Sequence, residues 1–196
     1  MNRPPLILAS SSPARRQLME RLKVPFEAIS PEVDESARPG EPPEALVLRL
    51  AEAKARAVAE HRPDALVIGS DQVAVMEGEI VGKPGSHERA LEQLRAASGN
   101  RITFHTGLCL FNAGTGSLQL DRVPCTVWFR RLTPRQMENY LRKEQPYGCA
   151  GSFKSEGLGV TLIERLEGED PNALIGLPLI RLVKMLEREG FDLLEE

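Results

Sequence analysis

The chain is poor in the residues that build disulfide frameworks, metal clusters and membrane spans. Its three cysteines, Cys109, Cys125 and Cys149, lie far apart and form no CxxC pair. An odd, scattered set reads as reduced core thiols in a reducing compartment. Of the three histidines, only His105 sits among strong strand residues, and no second His or Cys stands at ligand spacing. It reads as a packed strand histidine. No apolar run approaches the ~18 residues of a membrane span, and the run Leu6 to Ala9 is too short for a signal-peptide core. Positive charge is not in excess either: 25 Lys and Arg face 28 Asp and Glu, for a formal net charge of -3. The chain therefore has no global attraction for nucleic acid or an anionic membrane, and phosphate binding must come from a local cluster. No GxxxxGK[ST] is present. Gly82-Lys83 lacks both the earlier glycine and the following Ser/Thr, which argues against a P-loop ATPase. Repeats, low-complexity segments and linkers are missing too. The expectation is a cytoplasmic protein.

What is present is ordinary for a globular chain: 196 residues, 41% hydrophobic and 27% charged. That suffices for one large domain or two small lobes sharing a core. The most informative stretch is Leu6-Ile7-Leu8-Ala9-Ser10-Ser11-Ser12-Pro13-Ala14-Arg15-Arg16. Four apolar residues predict a buried strand, and Pro13 suits the first position of a helix. The serines then sit at a strand-to-helix junction, with free backbone N–H groups and the positive end of a helix dipole. With Arg15 and Arg16 they would make a place for a polyphosphate. A capped helix with surface arginines is the plainer alternative.

Further along, Val24 to Ile29 predicts a short strand. Glu32-Val33-Asp34-Glu35 follows, an acidic loop that is either a solvated turn or a holder of a divalent cation. Pro42-Pro43 opens a helix to about His61, with Leu46, Leu50, Ala53, Ala57 and Val58 as its apolar face. Lys54 lies within or beside that stripe and either snorkels to the surface or points into a cleft. Leu66 to Ile68 predict a buried strand that Gly69-Ser70-Asp71 interrupts, placing Asp71 where α/β sheets bind ligands. Glu77-Gly78-Glu79 predicts a hairpin turn, and Lys83 sits between Gly82 and Pro84 as a constrained mount for an ammonium. Ser86 caps a helix to about Ala97. Ile102 to Phe111 and Leu118 to Phe129 predict an antiparallel pair. Thr133-Pro134 opens a helix to about Glu144. Ala150 to Gly159 is a glycine-rich loop leading to a strand over Val160 to Ile163, and its glycines would permit close approach of a flat ligand. Asp170-Pro171-Asn172 starts the last helix, bent at Gly176-Leu177-Pro178. Alternating strands and helices followed by an antiparallel ribbon predict an α/β fold around a mixed sheet.

Cations at Arg15, Arg16, Lys54 and Lys83 combine with carboxylates at Glu35 and Asp71. Such a set suits polyphosphate cleavage: cations and a metal neutralise phosphate oxygens, and a carboxylate holds metal or deprotonates water. A nucleotidyltransferase shares the opening pattern, although its loop usually carries glycines where this one carries serines.

LILASSSPARR, PEVDES, RLAEAKA, IGSDQV, GKP, GSFKSEGLG and LIGLPL together resemble the Maf family of nucleoside triphosphate pyrophosphatases, in the family's order and over nearly the whole chain. The resemblance implies one Maf-like, ITPase-like domain over residues 1–196, with a central mixed twisted sheet flanked by helices and two lobes around a cleft. It implies hydrolysis of a nucleoside triphosphate to a monophosphate and pyrophosphate, with a divalent metal (Mg²⁺ or Mn²⁺) as cofactor. It also implies a small-molecule nucleotide as partner and allows a homodimer. Carried over by position, the catalytic aspartate falls on Asp71, as proton acceptor or metal ligand. Glu35 becomes its metal or water partner, and Ser10, Arg15, Lys54 and Lys83 the phosphate-binding set. Ser70-Asp71-Gln72 and Glu156 resemble the branch of 7-methyl-GTP pyrophosphatases rather than the dTTP/UTP branch. A carboxylate at Glu156 would complement a positively charged methylated guanine, and Gln72 would add a polar contact. Ala14 departs from the aromatic usual in that branch, which forgoes a stack on the base. A nucleotide-binding regulator of cell division is the non-enzymatic alternative.

Overall fold

The computed structural model describes residues 3–195. Its elements run β1 (Leu6–Ala9), α1 (Pro13–Glu20), β2 (Glu27–Ile29), α2 (Pro43–Ala59), β3 (Leu66–Met76), β4 (Glu79–Val81), α3 (His87–Ala97), β5 (Arg101–Asn112), β6 (Leu118–Phe129), α4 (Pro134–Glu144), β7 (Ile163–Gly168) and α5 (Leu179–Arg188). The strands form one seven-stranded mixed sheet in the order β2-β1-β3-β5-β6-β7, with β4 paired to β3. β1 pairs in parallel with both β2 and β3, whereas β3–β4 and β6–β7 are antiparallel. The fold is thus a single α/β domain with a central mixed sheet flanked by helices.

The chain divides into two compact units within β3, β5 and β6. The first holds residues up to Gln72, Thr106–Val123 and Asp170 onward. Its inner strands are apolar on both faces, as strands covered by helices must be. Leu6, Leu8, Leu66, Ile68, Leu108 and Leu110 meet Leu18 and Met19 of α1 and Leu182 and Leu186 of α5. On the opposite face Ile7, Ala9 and Val67 meet Ala51, Ala55 and Val58 of α2. The second unit, Val73–His105 and Pro124–Glu169, packs Phe153 edge-on against Phe129 and tilted against Phe104.

Four expectations change. Gly69-Ser70-Asp71 does not interrupt a strand, because β3 runs through it for 11 residues. Gly69 is there for packing: a Cβ would lie 2.0 Å from the Ala51 carbonyl oxygen of α2. β2 starts only at Glu27, after Pro25, which has no N–H for a ladder. Residues Leu158–Leu162 form a 3₁₀ turn and the strand begins at Ile163, where pairing with Phe129 becomes available. The break expected at Gly176-Leu177-Pro178 is present, with Gly176 at φ 119°, but the segment before it, Pro171–Ile175, is a 3₁₀ turn and not the first turn of α5. His105 is buried in β5, and all three cysteines are free thiols. Burial pushes the Cys109 thiol up to about 12, so it is an inert core group.

Candidate active site

The first unit gathers most of the predicted residues at one end of its parallel strands. The β1–β3 register pairs Ala9 with Gly69. Ser10–Ser12 and Ser70–Asp71 therefore follow the same end of the paired segment, the carboxyl end, where open α/β sheets take ligands. Ser10 is buried, and its Oγ accepts the Ser12 N–H at 3.1 Å. Ser12 caps α1 by accepting the Arg15 N–H, so the chain turns tightly from strand into helix.

α2 delivers the central cation. Glycine at 69 lets the helix backbone lie on β3, and Gly107 does the same on β5, where a Cβ would stand 2.2 Å from the Val47 carbonyl oxygen. One turn beyond Ala51, Lys54 is 5% exposed. A buried ammonium requires partners, since desolvation of a lone charge is prohibitive. Lys54 Nζ has two: Asp71 Oδ1 at 2.7 Å and Glu35 Oε1 at 2.6 Å. Asp71 is itself buried, whereas the Glu35 side chain is exposed. The loop carrying Glu35 is tied to α2 by Arg49, which grips both Glu41 oxygens at 2.6 and 2.7 Å and donates to Ser36 O at 2.9 Å. The Arg49 guanidinium, helped by the Arg38 N–H, holds the Glu41 carboxyl at about 2.

Arg15 approaches from α1. Its Nε donates to Gly176 O at 2.8 Å, and a Cβ on Gly176 would come within 3.3 Å of that nitrogen. Desolvation lowers its pKa, and the fields of Asp71 and Glu35 partly offset this. Arg16 is exposed, and Ala14 is half-buried. The cluster Arg15, Lys54, Glu35 and Asp71 balances two positive against two negative charges.

A divalent ion was expected at Glu35 and Asp71. Both are hard oxygen donors, and Lys54 engages one oxygen of each. Among the described residues no group of three or more His, Cys, Asp or Glu that could hold a metal ion gathers, here or elsewhere. Two carboxylates completed by substrate phosphates and water form the donor set that suits Mg²⁺. Glu35 and Asp71 fit a metal only as two of its ligands, the others coming from outside the protein.

Gln72 is braced internally. Its amide nitrogen donates to Ala173 O at 2.8 Å, and lies 2.9 Å from Thr106 Oγ1 and 3.2 Å from Leu174 O. Thr106 Oγ1 donates to the same Ala173 carbonyl, and Ser70 Oγ lies 2.8 Å from Gly107 O and 2.9 Å from Gly176 O. Sequence reading missed this bracket of Ser70, Thr106 and Gly176. The one available signal was a glycine two residues before a proline, a turn requiring positive φ.

Lys83 and Glu156 belong to the second unit and are exposed. Two glycines of the Glu156 loop serve the fold: Cβ atoms at Gly157 and Gly159 would fall 2.6 Å from Glu144 Oε2 and 2.3 Å from Lys154 O. This unit also carries an open cavity of about 500 Å³ lined by Val75, Glu77, Arg101, Thr103 and Trp128, among others. None of the predicted site residues lines it.

Residues 5–189 match the family described as Maf-like protein. The chain belongs to the Maf family. Two Maf relatives named 7-methyl-GTP pyrophosphatase are similar over almost their whole length. The protein from Nitrosococcus oceani is 59% identical over 191 residues, covering 97% of this chain and 96% of the relative. That from Methylobacillus flagellatus is 58% identical over 191 residues, covering 97% and 100%. No helix among the described residues is long and apolar enough to cross a membrane.

Proposed function

We propose that this chain hydrolyses 7-methyl-GTP to 7-methyl-GMP and pyrophosphate. The observation that carries the reaction class is the Glu35–Lys54–Asp71 cluster, with Arg15 beside it, just past the carboxyl end of β1 and of the β3 segment paired with it. The relatives' names and the SDQV and FKSEG motifs support the substrate.

Ser10, Arg15 and Lys54 bind phosphate oxygens, and the Gly82-Lys83-Pro84 motif assigns Lys83 to phosphate as well. Asp71 takes a proton from water as its oxygen attacks the α-phosphorus. The bond from that phosphorus to the bridging oxygen breaks, and pyrophosphate leaves. Lys54 keeps the Asp71 carboxylate oriented and compensates charge on the phosphates. A metal held by Glu35 and Asp71 would supply Lewis-acid stabilisation of phosphoryl oxygens. The exposed Glu156 carboxylate complements the positive charge of the methylated base. Free thiols fit a reducing, cytoplasmic setting.

The test is pyrophosphate release from 7-methyl-GTP, GTP, dTTP, UTP and CTP with Mg²⁺ or Mn²⁺. Preference for 7-methyl-GTP is expected. Preference for dTTP or UTP would keep the reaction and overturn the roles of Gln72 and Glu156. Silence with all five substrates would leave a binding protein.

A further inference from the structure

In the second unit Lys83 follows Gly82 directly and Glu156 lies four residues beyond Ser152, and one side chain joins Gly82 to Ser152. Gln93, on α3, donates from Nε2 to Gly82 O at 3.0 Å. Its Oε1 accepts the Ser152 hydroxyl at 2.5 Å. The Gly151 N–H closes the ring by donating to the same Gly82 carbonyl at 3.3 Å. A carbonyl can only accept, so the amide orientation is dictated by its neighbours, and no other side chain of that length both donates and accepts there.

The turns it joins are otherwise costly to hold. Ser152 is fully buried with φ 55°, a left-handed conformation that a residue with a Cβ adopts only when surroundings impose it. Its carbonyl accepts Tyr140 OH at 3.2 Å, and Tyr140 OH in turn accepts the Lys154 N–H at 3.2 Å. On the other side, Gly85 N donates to Tyr147 O at 3.0 Å. Lys83 is therefore an exposed side chain on a backbone anchored before and after it.

We infer that Gln93 is a positioning residue that sets the Gly82-Lys83 segment in register with the Ala150–Ser152 turn, from which the Glu156 loop departs, so coupling the phosphate contact of Lys83 to the base contact of Glu156. The inference rests on the roles proposed above for those two residues. It makes base choice and phosphate chemistry interdependent through a residue that touches neither. A side chain acting through geometry in this way can cost tenfold to a hundredfold when its partners shift by an ångström.

The test is a double-mutant cycle of Gln93→Met with Lys83→Ala, read as kcat/KM for 7-methyl-GTP and GTP and as Tm. Gln93→Met fills the volume and removes both hydrogen bonds. Expected are a loss of about tenfold in kcat/KM and a smaller 7-methyl-GTP:GTP ratio. The double variant should then be no slower than Lys83→Ala alone. Losses that multiply, or a Gln93→Met enzyme with normal kinetics, would overturn the inference. Should Gln93→Met not fold, Gln93→Glu serves, since it keeps the Ser152 bond and sets an acceptor against Gly82 O. It should then lower kcat and the 7-methyl-GTP:GTP ratio together, and a change in one without the other, or in neither, would overturn the inference. A Lys83→Ala enzyme with full activity would instead fail the role of Lys83 itself, which is read without touching Gln93.

Discussion

Lys54 and Lys83 carry the same charge and are both proposed as phosphate contacts, yet the two units hold them by opposite means. Lys54 is buried on a helix, within 2.7 Å of two carboxylates. Lys83 is exposed in a turn, and only its backbone neighbours are fastened. Burial makes a charge depend on its partners, so in the first unit fold and chemistry share the same contacts. Exposure separates them. The glycines differ in the same way: Gly69 lies under a helix backbone, whereas a Cβ on Gly82 would meet nothing within 4 Å.

That contrast can be broken by substitution. The largest effect is expected from Asp71→Asn, which keeps shape and removes the proton acceptor. kcat for pyrophosphate release should fall about a thousandfold. A variant retaining a tenth of the activity would remove Asp71 from the chemistry. Next, Lys54→Met should cost about 3 kcal/mol of stability in urea melts as well as activity, because it strands the buried Asp71 carboxylate. Lys83→Met should leave the urea midpoint unchanged and slow turnover about a hundredfold. Equal stabilities for the two variants would erase the distinction between the units.

Gly69→Ala should destabilise by about 2–3 kcal/mol through displacement of α2, while Gly82→Ala should leave Tm where it is. The smallest effect concerns the loop of Glu35. The Glu41 carboxyl is lowered from an ordinary 4.5 to about 2 by Arg49. A depressed carboxyl contributes stability above its unfolded value and loses it as pH falls toward the folded one. The stability difference between wild type and Glu41→Gln should therefore be constant above pH 4.5, shrink below it, and vanish near pH 2. A difference that instead grew on acidification would contradict the Arg49 clasp.

Local pattern was enough to read β1, α3, β6 and α4, because each has a start signal and a regular period: Ser86 and Thr133 accept the amides expected of helix caps. The 3₁₀ turns at Leu158–Leu162 and Pro171–Ile175 have too few residues to show a period, so they read as strand and helix. Gly69 read as a strand break because its reason lies 18 residues upstream at Ala51, in a different element.

By itself, then, the order of residues determined the strand–serine–helix entry, the α/β class and the identity of the charged groups. These depend on neighbours within a turn or two, and on motifs whose spacing is visible in one dimension. Tertiary structure alone decided that Lys54 turns inward between Glu35 and Asp71, that Arg15 leans on the Gly176 carbonyl, and that Gln93 spans two turns. Each of these is a pairing across 11 to 161 residues, created by helix-to-sheet packing and by the need of buried polar groups for partners.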